Sequence, residues 1–250
     1  MEPPRGVQKG SGLGVKYPGG KNVAGCYQRI INQIPPHRIY IEPFVGSGAI
    51  LRMKRPANLS ICLDLEPGAI AALRDRVPPE TRLLEADGIQ FLAKYPFVGD
   101  EFVYCDPPYL PEACRTRIRY RHKLTWHDHR RLLRILLNLP CRVAISGYWS
   151  ELYSHTLDGW RSDHWPQITR GGYTIDEWLW MNYPTPEALH DYRYLGRDYR
   201  EREKFTRRRK RWTAKLERMA PIERYAILAA LEQVRKPGDT AVDVDVGRTR

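Results

Sequence analysis

Apolar residues in this chain fall into short runs separated by segments of helical period. Five runs read as buried strands: Arg38 to Phe44, Leu59 to Asp64, Thr81 to Asp87, Glu101 to Cys105 and Cys141 to Tyr148. Between them, helices are predicted over about Val23 to Ile34, from Ala49, over Pro67 to Arg76 and over Gly88 to Tyr95. Thr125-Trp126-His127-Asp128 resembles a capping box, and Leu132, Leu133, Ile135, Leu136 and Leu139 give the helix it opens a broad apolar face. Strands alternating with helices predict an α/β fold with a doubly wound, mostly parallel sheet and helices on both faces. Trp160 to Arg170 and Tyr173 to Tyr183, joined by Gly171-Gly172, predict a closing antiparallel hairpin; its Asp176, Glu177, Trp178 and Trp180 alternate polar and aromatic faces. From about Asp198 to Arg235 the chain reads as two helices. The first carries Arg207-Arg208-Arg209-Lys210-Arg211, and the second follows Pro221.

The 250 residues suffice for one sizeable core and a small appendage. The expected division is a flexible lead-in at 1–14, a core at 15–190 with a basic loop at 110–124, a basic helical region at 191–235 and a disordered tail at 236–250. Charge changes the picture more than size does. Lys and Arg number 41 against 29 Asp and Glu, a net +12, which points to a polyanionic partner and most simply to nucleic acid. Cys26, Cys62, Cys105, Cys114 and Cys141 form no C-x-x-C pair, and three lie in strand-like runs. That spacing suggests reduced thiols in a cytoplasmic protein and argues against a zinc site. His127 and His129 lack a third ligand nearby and read as helix-surface residues, so no metal is expected. No apolar run is long enough to span a membrane, and no signal region is visible at the N-terminus.

The candidate chemistry sits where strands stop. Glu101 to Cys105 runs directly into Asp106-Pro107-Pro108-Tyr109. Consecutive prolines cannot donate to a ladder and hold the backbone extended, so Asp106 and Tyr109 ride on a stiff loop at the strand's carboxyl end. Open α/β sheets bind ligands there. A carboxylate, a Pro carbonyl and an aromatic face suit a flat ring bearing an amino group; the bland alternative is a turn with a solvated acid and a rim tyrosine. Val45-Gly46-Ser47-Gly48 turns the first strand into a helix, with glycines that let a ligand approach the backbone. Asp64 ends the second strand where a ribose ligand is expected, or else caps the next helix; Asp87, ending the third, has an N-cap reading too.

Two basic stretches flank this chemistry. Lys16-Tyr17-Pro18-Gly19-Gly20-Lys21 lacks the spacing of a phosphate-binding loop, which excludes that ATPase motif and leaves a tight turn carrying an aromatic and a lysine. Beyond Tyr109, Arg115, Arg117, Arg119, Arg121 and Lys123 recur at every second position. Period-two spacing puts the cations on one face of an extended ribbon, with Tyr120 able to stack on or wedge between bases. The alternative is a solvated charged loop.

Lys16 to Lys21, Phe44 to Gly48, Asp64 and Asp106 to Tyr109, in that order across roughly residues 15 to 150, resemble the Dam-like, D12 class of S-adenosylmethionine-dependent DNA N6-adenine methyltransferases. The resemblance implies a Rossmann-like methyltransferase sheet, S-adenosylmethionine as cofactor and double-stranded DNA as partner. It implies that Tyr17 and Lys21 lie over the cofactor, that the Phe44, Gly46 and Gly48 turn approaches its methionine part, and that Asp64 takes its ribose hydroxyls. Asp87 would sit near the cofactor adenine. Asp106 would serve both cofactor and target, and with Pro107, Pro108 and Tyr109 would hold a flipped adenine. The class usually carries a large recognition insertion for which Ala49 to Asp100 has no room, so base reading is expected from 110–124 and the C-terminal basic region.

An exocyclic amine is a poor nucleophile because its lone pair is delocalised into the ring. Hydrogen bonds from N6–H to Asp106 and the Pro107 carbonyl would aim that lone pair at a methylsulfonium, so transfer needs mainly positioning. A target inside a duplex implies base flipping. Three alternatives stand beside this expectation: an N4-cytosine enzyme, in which Ser is more usual than Asp; an RNA or protein-amide methyltransferase; and a non-catalytic DNA-binding relic. A short chain of this kind suits a phage-type methylase of relaxed specificity.

Overall fold

A computed structural model describes residues 21, 25–110, 122–168 and 172–234. The lead-in, Tyr17, Arg115 to Arg121 of the ribbon and the tail from 236 lie outside the described residues. Along the chain the elements are α1 (Cys26–Ile31), β1 (Ile39–Glu42), α2 (Ala49–Met53), β2 (Leu59–Asp64), α3 (Pro67–Leu73), β3 (Thr81–Glu85), α4 (Gly88–Lys94) and β4 (Glu101–Cys105). Then follow α5 (Trp126–Leu137), β5 (Arg142–Tyr148), α6 (Glu151–Thr156), β6 (Arg161–Ile168), β7 (Thr174–Met181), α7 (Tyr199–Arg218) and α8 (Pro221–Gln233).

Among the described residues the strands form one seven-stranded sheet in the order β3-β2-β1-β4-β5-β7-β6. β1 to β5 are mutually parallel, and β7 runs antiparallel between β5 and β6. This is the expected α/β sheet with a C-terminal antiparallel hairpin. The hairpin's return strand, however, is the inner one, because β7 rather than β6 pairs with β5.

Period-two alternation distributes the core over both faces of the sheet. Tyr40, Cys62, Phe102 and Tyr104 belong to the cluster that also holds Ile30 and Ile31 of α1, Ile50 of α2 and Leu73 of α3. Their neighbours Ile41, Ile61, Val103 and Cys105 belong to the opposite cluster with Leu92 of α4, Leu132 and Leu136 of α5 and Tyr153 of α6. β4, flanked by β1 and β5, is buried at every position. Its apolar run from Phe102 to Cys105 is what a central parallel strand covered on both faces requires. The four described cysteines are buried and unpaired. After β7 the chain returns to the first cluster: the His190 amide donates to the Ile34 carbonyl at 2.9 Å, and Arg193 pairs with the buried Asp191 at 2.7 Å.

The expectation that His129 lies on the helix surface is wrong. Its side chain is fully buried, and its Nδ1 stands 2.9 Å from the Tyr153 hydroxyl. The capping box at Thr125, with the Thr125 amide donating to Asp128 Oδ2 at 2.8 Å, sets the helical phase that turns His129 inward beside Leu132 and Leu133. Burial pushes the His129 pKa down to about 4, and does the same at His190. Both folded values lie below the ordinary 6.5. Each group therefore contributes stability that is present above pH 6.5 and lost as the pH falls through 4, on the order of 3 kcal/mol apiece. Glu42, pushed up to about 8 by burial, works in the opposite sense over part of that range. Imidazole titration by NMR isolates the histidines. Both rings are expected to stay neutral down to about pH 5, and protonation near 6.5 would contradict this account.

Candidate active site

The strand order reverses between β1 and β4. From β1 the chain builds outward to β2 and β3, then returns to the other side of β1 to place β4. Such a switch point opens a crevice at the carboxyl ends of the two strands. The loops that meet there are Pro43 to Gly48 and Asp106 to Leu110.

The first loop is tight. Gly46 and Gly48 have φ of 49° and 64°, a region that residues with a Cβ seldom occupy. Asp64, at the end of β2, fastens the turn: its Oδ2 accepts the Gly46 amide at 2.8 Å and its Oδ1 accepts the Glu66 amide at 2.9 Å. Each carboxylate oxygen retains acceptor capacity for a further donor. Phe44 is half-buried against the cluster that holds α4 and α5.

Asp87 realises its N-cap reading, with Oδ1 accepting the Ile89 and Gln90 amides at 2.8 and 3.1 Å. The next residue brings α4 hard against the first loop. A Cβ on Gly88 would stand 2.2 Å from the Pro43 carbonyl oxygen. Gly88→Ala is therefore expected to destabilise the protein by about 2–3 kcal/mol through forced backbone displacement, read by denaturant unfolding. A change under about 0.5 kcal/mol, typical of neutral surface positions, would show that the contact yields freely.

The second loop carries a buried polar network. Lys21 Nζ donates to Asp106 Oδ1 at 2.7 Å and lies 3.1 Å from Glu177 Oε1 on β7. It also donates to the Tyr109 hydroxyl. That hydroxyl has one proton to give and two carboxylates within reach, Glu177 Oε1 at 2.7 Å and Asp106 Oδ1 at 3.0 Å. From β5, Ser146 Oγ donates to Asp106 Oδ1 at 3.1 Å and stands 3.0 Å from the Tyr104 hydroxyl. All these contacts fall on Oδ1. Among the described residues no protein donor engages Asp106 Oδ2, and the side chain is 19% exposed where Lys21 and Glu177 are 2% and 3%. One oxygen is anchored and the other is presented.

Electrostatics sets the protonation states. Burial alone would lower the Lys21 pKa, but the Asp106 and Glu177 carboxylates outweigh it and hold the ammonium well above its usual range. Burial raises the Glu177 carboxyl, against the pull of Lys21. One cation thus faces two carboxylates, with Lys21 and Glu177 buried and Asp106 alone reaching solvent. The Tyr109 ring is buried and meets the Tyr148 ring edge-on at 4.5 Å. Pro107 is buried and Pro108 half-buried. Beneath the loop lies His129, whose Nε2 has no partner in hydrogen-bond geometry although the Pro108 backbone acts on the ring.

The structure therefore brings Lys21, Asp106 and Tyr109 into direct contact and puts the Gly46-Gly48 turn and Asp64 on the neighbouring strand ends. Lys123 is described and exposed, apart from this network; Arg115, Arg117, Arg119, Tyr120 and Arg121 lie outside the described residues. Glu177 and Ser146 were missed by sequence reasoning. For Glu177 a signal existed: it shares its strand face with the buried Leu179 and Met181, and a carboxylate in core register marks a functional site more often than a solvated one. Among the described residues no cluster of His, Cys, Asp and Glu could hold a metal ion, and no helix is long and apolar enough to cross a membrane.

No family model matches the chain, and no curated protein matches it. Among solved structures it is similar to the 23S rRNA methyltransferase ErmE, with 14% identity, 91% of this chain and 93% of that one covered, and a TM-score of 0.44. It is also similar to an rRNA methylase from Streptococcus thermophilus, at 16% identity over 62% of this chain and 91% of that one, TM-score 0.40. A third is the magnesium protoporphyrin IX methyltransferase ChlM from Synechocystis with bound SAM, at 11% identity over 63% and 75% of the two chains, TM-score 0.41.

Proposed function

We propose that the protein transfers a methyl group from S-adenosylmethionine to N6 of adenine in DNA. The observation that carries this reading is the divided role of Asp106: Oδ1 is fixed by Lys21 and Ser146, and Oδ2 is left for a substrate N–H at the rim of the crevice. The residues present suit the cofactor. Asp64, with spare acceptor capacity, would take vicinal ribose hydroxyls, and the methionine part would lie against the Gly46-Gly48 turn, where Gly46 and Ser47 are half-buried. When bound, S-adenosylmethionine supplies an electrophilic methyl group on a sulfonium.

Asp106 Oδ2 and the Pro107 carbonyl would accept the two N6–H bonds and orient the nitrogen lone pair. N6, so held, would take the methyl as the C–S bond breaks, with S-adenosylhomocysteine as the leaving group, and would then shed one proton by way of Asp106 Oδ2 to solvent. Lys21 keeps the Asp106 carboxylate oriented without consuming the oxygen that faces substrate. Tyr109 and Tyr148, which meet edge-on at 4.5 Å, would supply aromatic walls to a base-binding pocket. The target adenine would be flipped out of the duplex to reach Asp106.

The test is transfer of labelled methyl from S-adenosylmethionine to unmethylated DNA, with nucleosides resolved by mass spectrometry. N6-methyladenine, absent with Asp106→Ala, is the expected product. N4-methylcytosine would overturn the base assignment, and label on RNA or protein alone would overturn the substrate class.

A further inference from the structure

Six of the ten Lys and Arg residues of α7 share one face. At 3.6 residues per turn, Arg200, Lys204, Arg208, Arg211, Lys215 and Arg218 fall within an arc of about 80° and run about 27 Å along the helix axis. All six are exposed. Among the described residues none of the six is in an ion pair; Arg207, at the edge of the arc, has Glu203 at 3.5 Å. Glu201, Glu203 and Glu217 lie outside the arc. Like charges three and four positions apart destabilise a helix, so this stripe works against the element that carries it unless an anion lies along it.

We infer that the stripe is a docking surface for the phosphate backbone of duplex DNA. The inference rests on the DNA substrate proposed above and adds to it a contact surface carried by α7. Duplex DNA carries one charge per about 1.7 Å of axis, so a 27 Å stripe finds phosphates along its whole length. An anionic membrane fits less well. Phe205, Trp212 and Leu216 are the large apolar residues of the helix interior, a narrow strip of which two are already half-buried, where an interfacial helix needs a wide apolar face. Phosphate contacts position a duplex and carry no sequence, so the stripe would add affinity without selecting a site.

Two double variants with equal loss of charge test the stripe. Lys204→Gln with Arg211→Gln removes two charges from the arc; Arg209→Gln with Lys210→Gln removes two that lie outside it. Glutamine keeps helix propensity close to that of Lys and Arg. Affinity for an unmethylated duplex is measured against salt concentration, with methyl transfer by the same preparations. The first variant is expected to flatten the slope of log affinity against log salt by about 1.8, or 0.9 per lost phosphate contact, and to raise KM for DNA. The second is expected to leave the slope unchanged. Equal slopes in the two variants overturn the inference, as does tighter binding of the wild type to phosphatidylserine vesicles than to DNA at the same salt. DNA methylation with slopes indifferent to the stripe refutes this inference alone. A stripe-dependent slope without N6-methyladenine refutes the proposed reaction alone.

Discussion

Asp106→Ala is expected to lower methyl transfer about 10³-fold while leaving the fold intact. Loss of one preorganised polar group acting on the reacting atom costs between about 10² and 10³ in turnover, and Asp106 presents Oδ2 from a loop whose freedom two prolines remove. The stability side is small for a reason visible in the network. Lys21 loses a partner at 2.7 Å but keeps Glu177 at 3.1 Å, so no buried cation is left without a counter-charge. Single-turnover transfer and a thermal melt on the same preparation separate the two effects. A fall of less than tenfold with normal folding would remove Asp106 from the reaction. Asp106→Asn refines the point, because it preserves an acceptor and the side-chain shape but gives up the charge that holds Lys21.

Lys21→Met has the larger expected effect on stability, about 3–5 kcal/mol, the usual cost of removing one partner from a buried ion pair. Two carboxylates then share a nearly dry site with no cation. The sign of the pH dependence follows from Glu177. Burial already raises its folded pKa above the ordinary 4.5, and without Lys21 it rises further. A carboxyl whose folded pKa exceeds its unfolded value contributes stability that is full below about 4.5 and is lost as the pH rises through the folded value. The gap between wild type and Lys21→Met should therefore be widest near pH 8 and narrow toward pH 5. Glu177→Gln in the Lys21→Met background should recover most of the loss at pH 8. Denaturant unfolding at both pH values checks this, and an equal gap at pH 5 and pH 8 would dismiss the charge argument.

Sequence legibility tracked the distance over which each feature is determined. β4 and its loop are local: an apolar run, then Asp106 and two prolines, all read within nine residues. The Gly46-Gly48 turn is equally local, and its positive φ values are what the glycines advertise. The sheet's alternation with helices was legible too, because each unit carries its own period. The six-residue α6 was not, since its amphipathic pattern is too short to register. His129 was legible and still misread: it precedes Leu132, Leu133 and Leu136 by three, four and seven positions and so shares the buried face they define. The site network was least legible. Lys21 is 85 residues from Asp106, and Tyr109 is 68 from Glu177, contacts that exist only after four strands have aligned. Strand register is what brings Glu177 opposite Tyr148, and no window of local sequence contains that pairing.

The inner placement of β7 makes the site a checkpoint on assembly. Chain growth delivers Lys21 first, Asp106 and Tyr109 later and Glu177 after β6, yet Glu177 must enter between strands already made. Until the hairpin has closed, β5 is an open edge and Lys21 lacks one of its two counter-charges. Non-local pairing of this kind comes late because loop-closure entropy must be met before the contacts form. A chain interrupted before β7 would thus hold Lys21, Asp106 and Tyr109 and still lack the second carboxylate that balances them, so that the buried network is complete only with the last strand of the sheet.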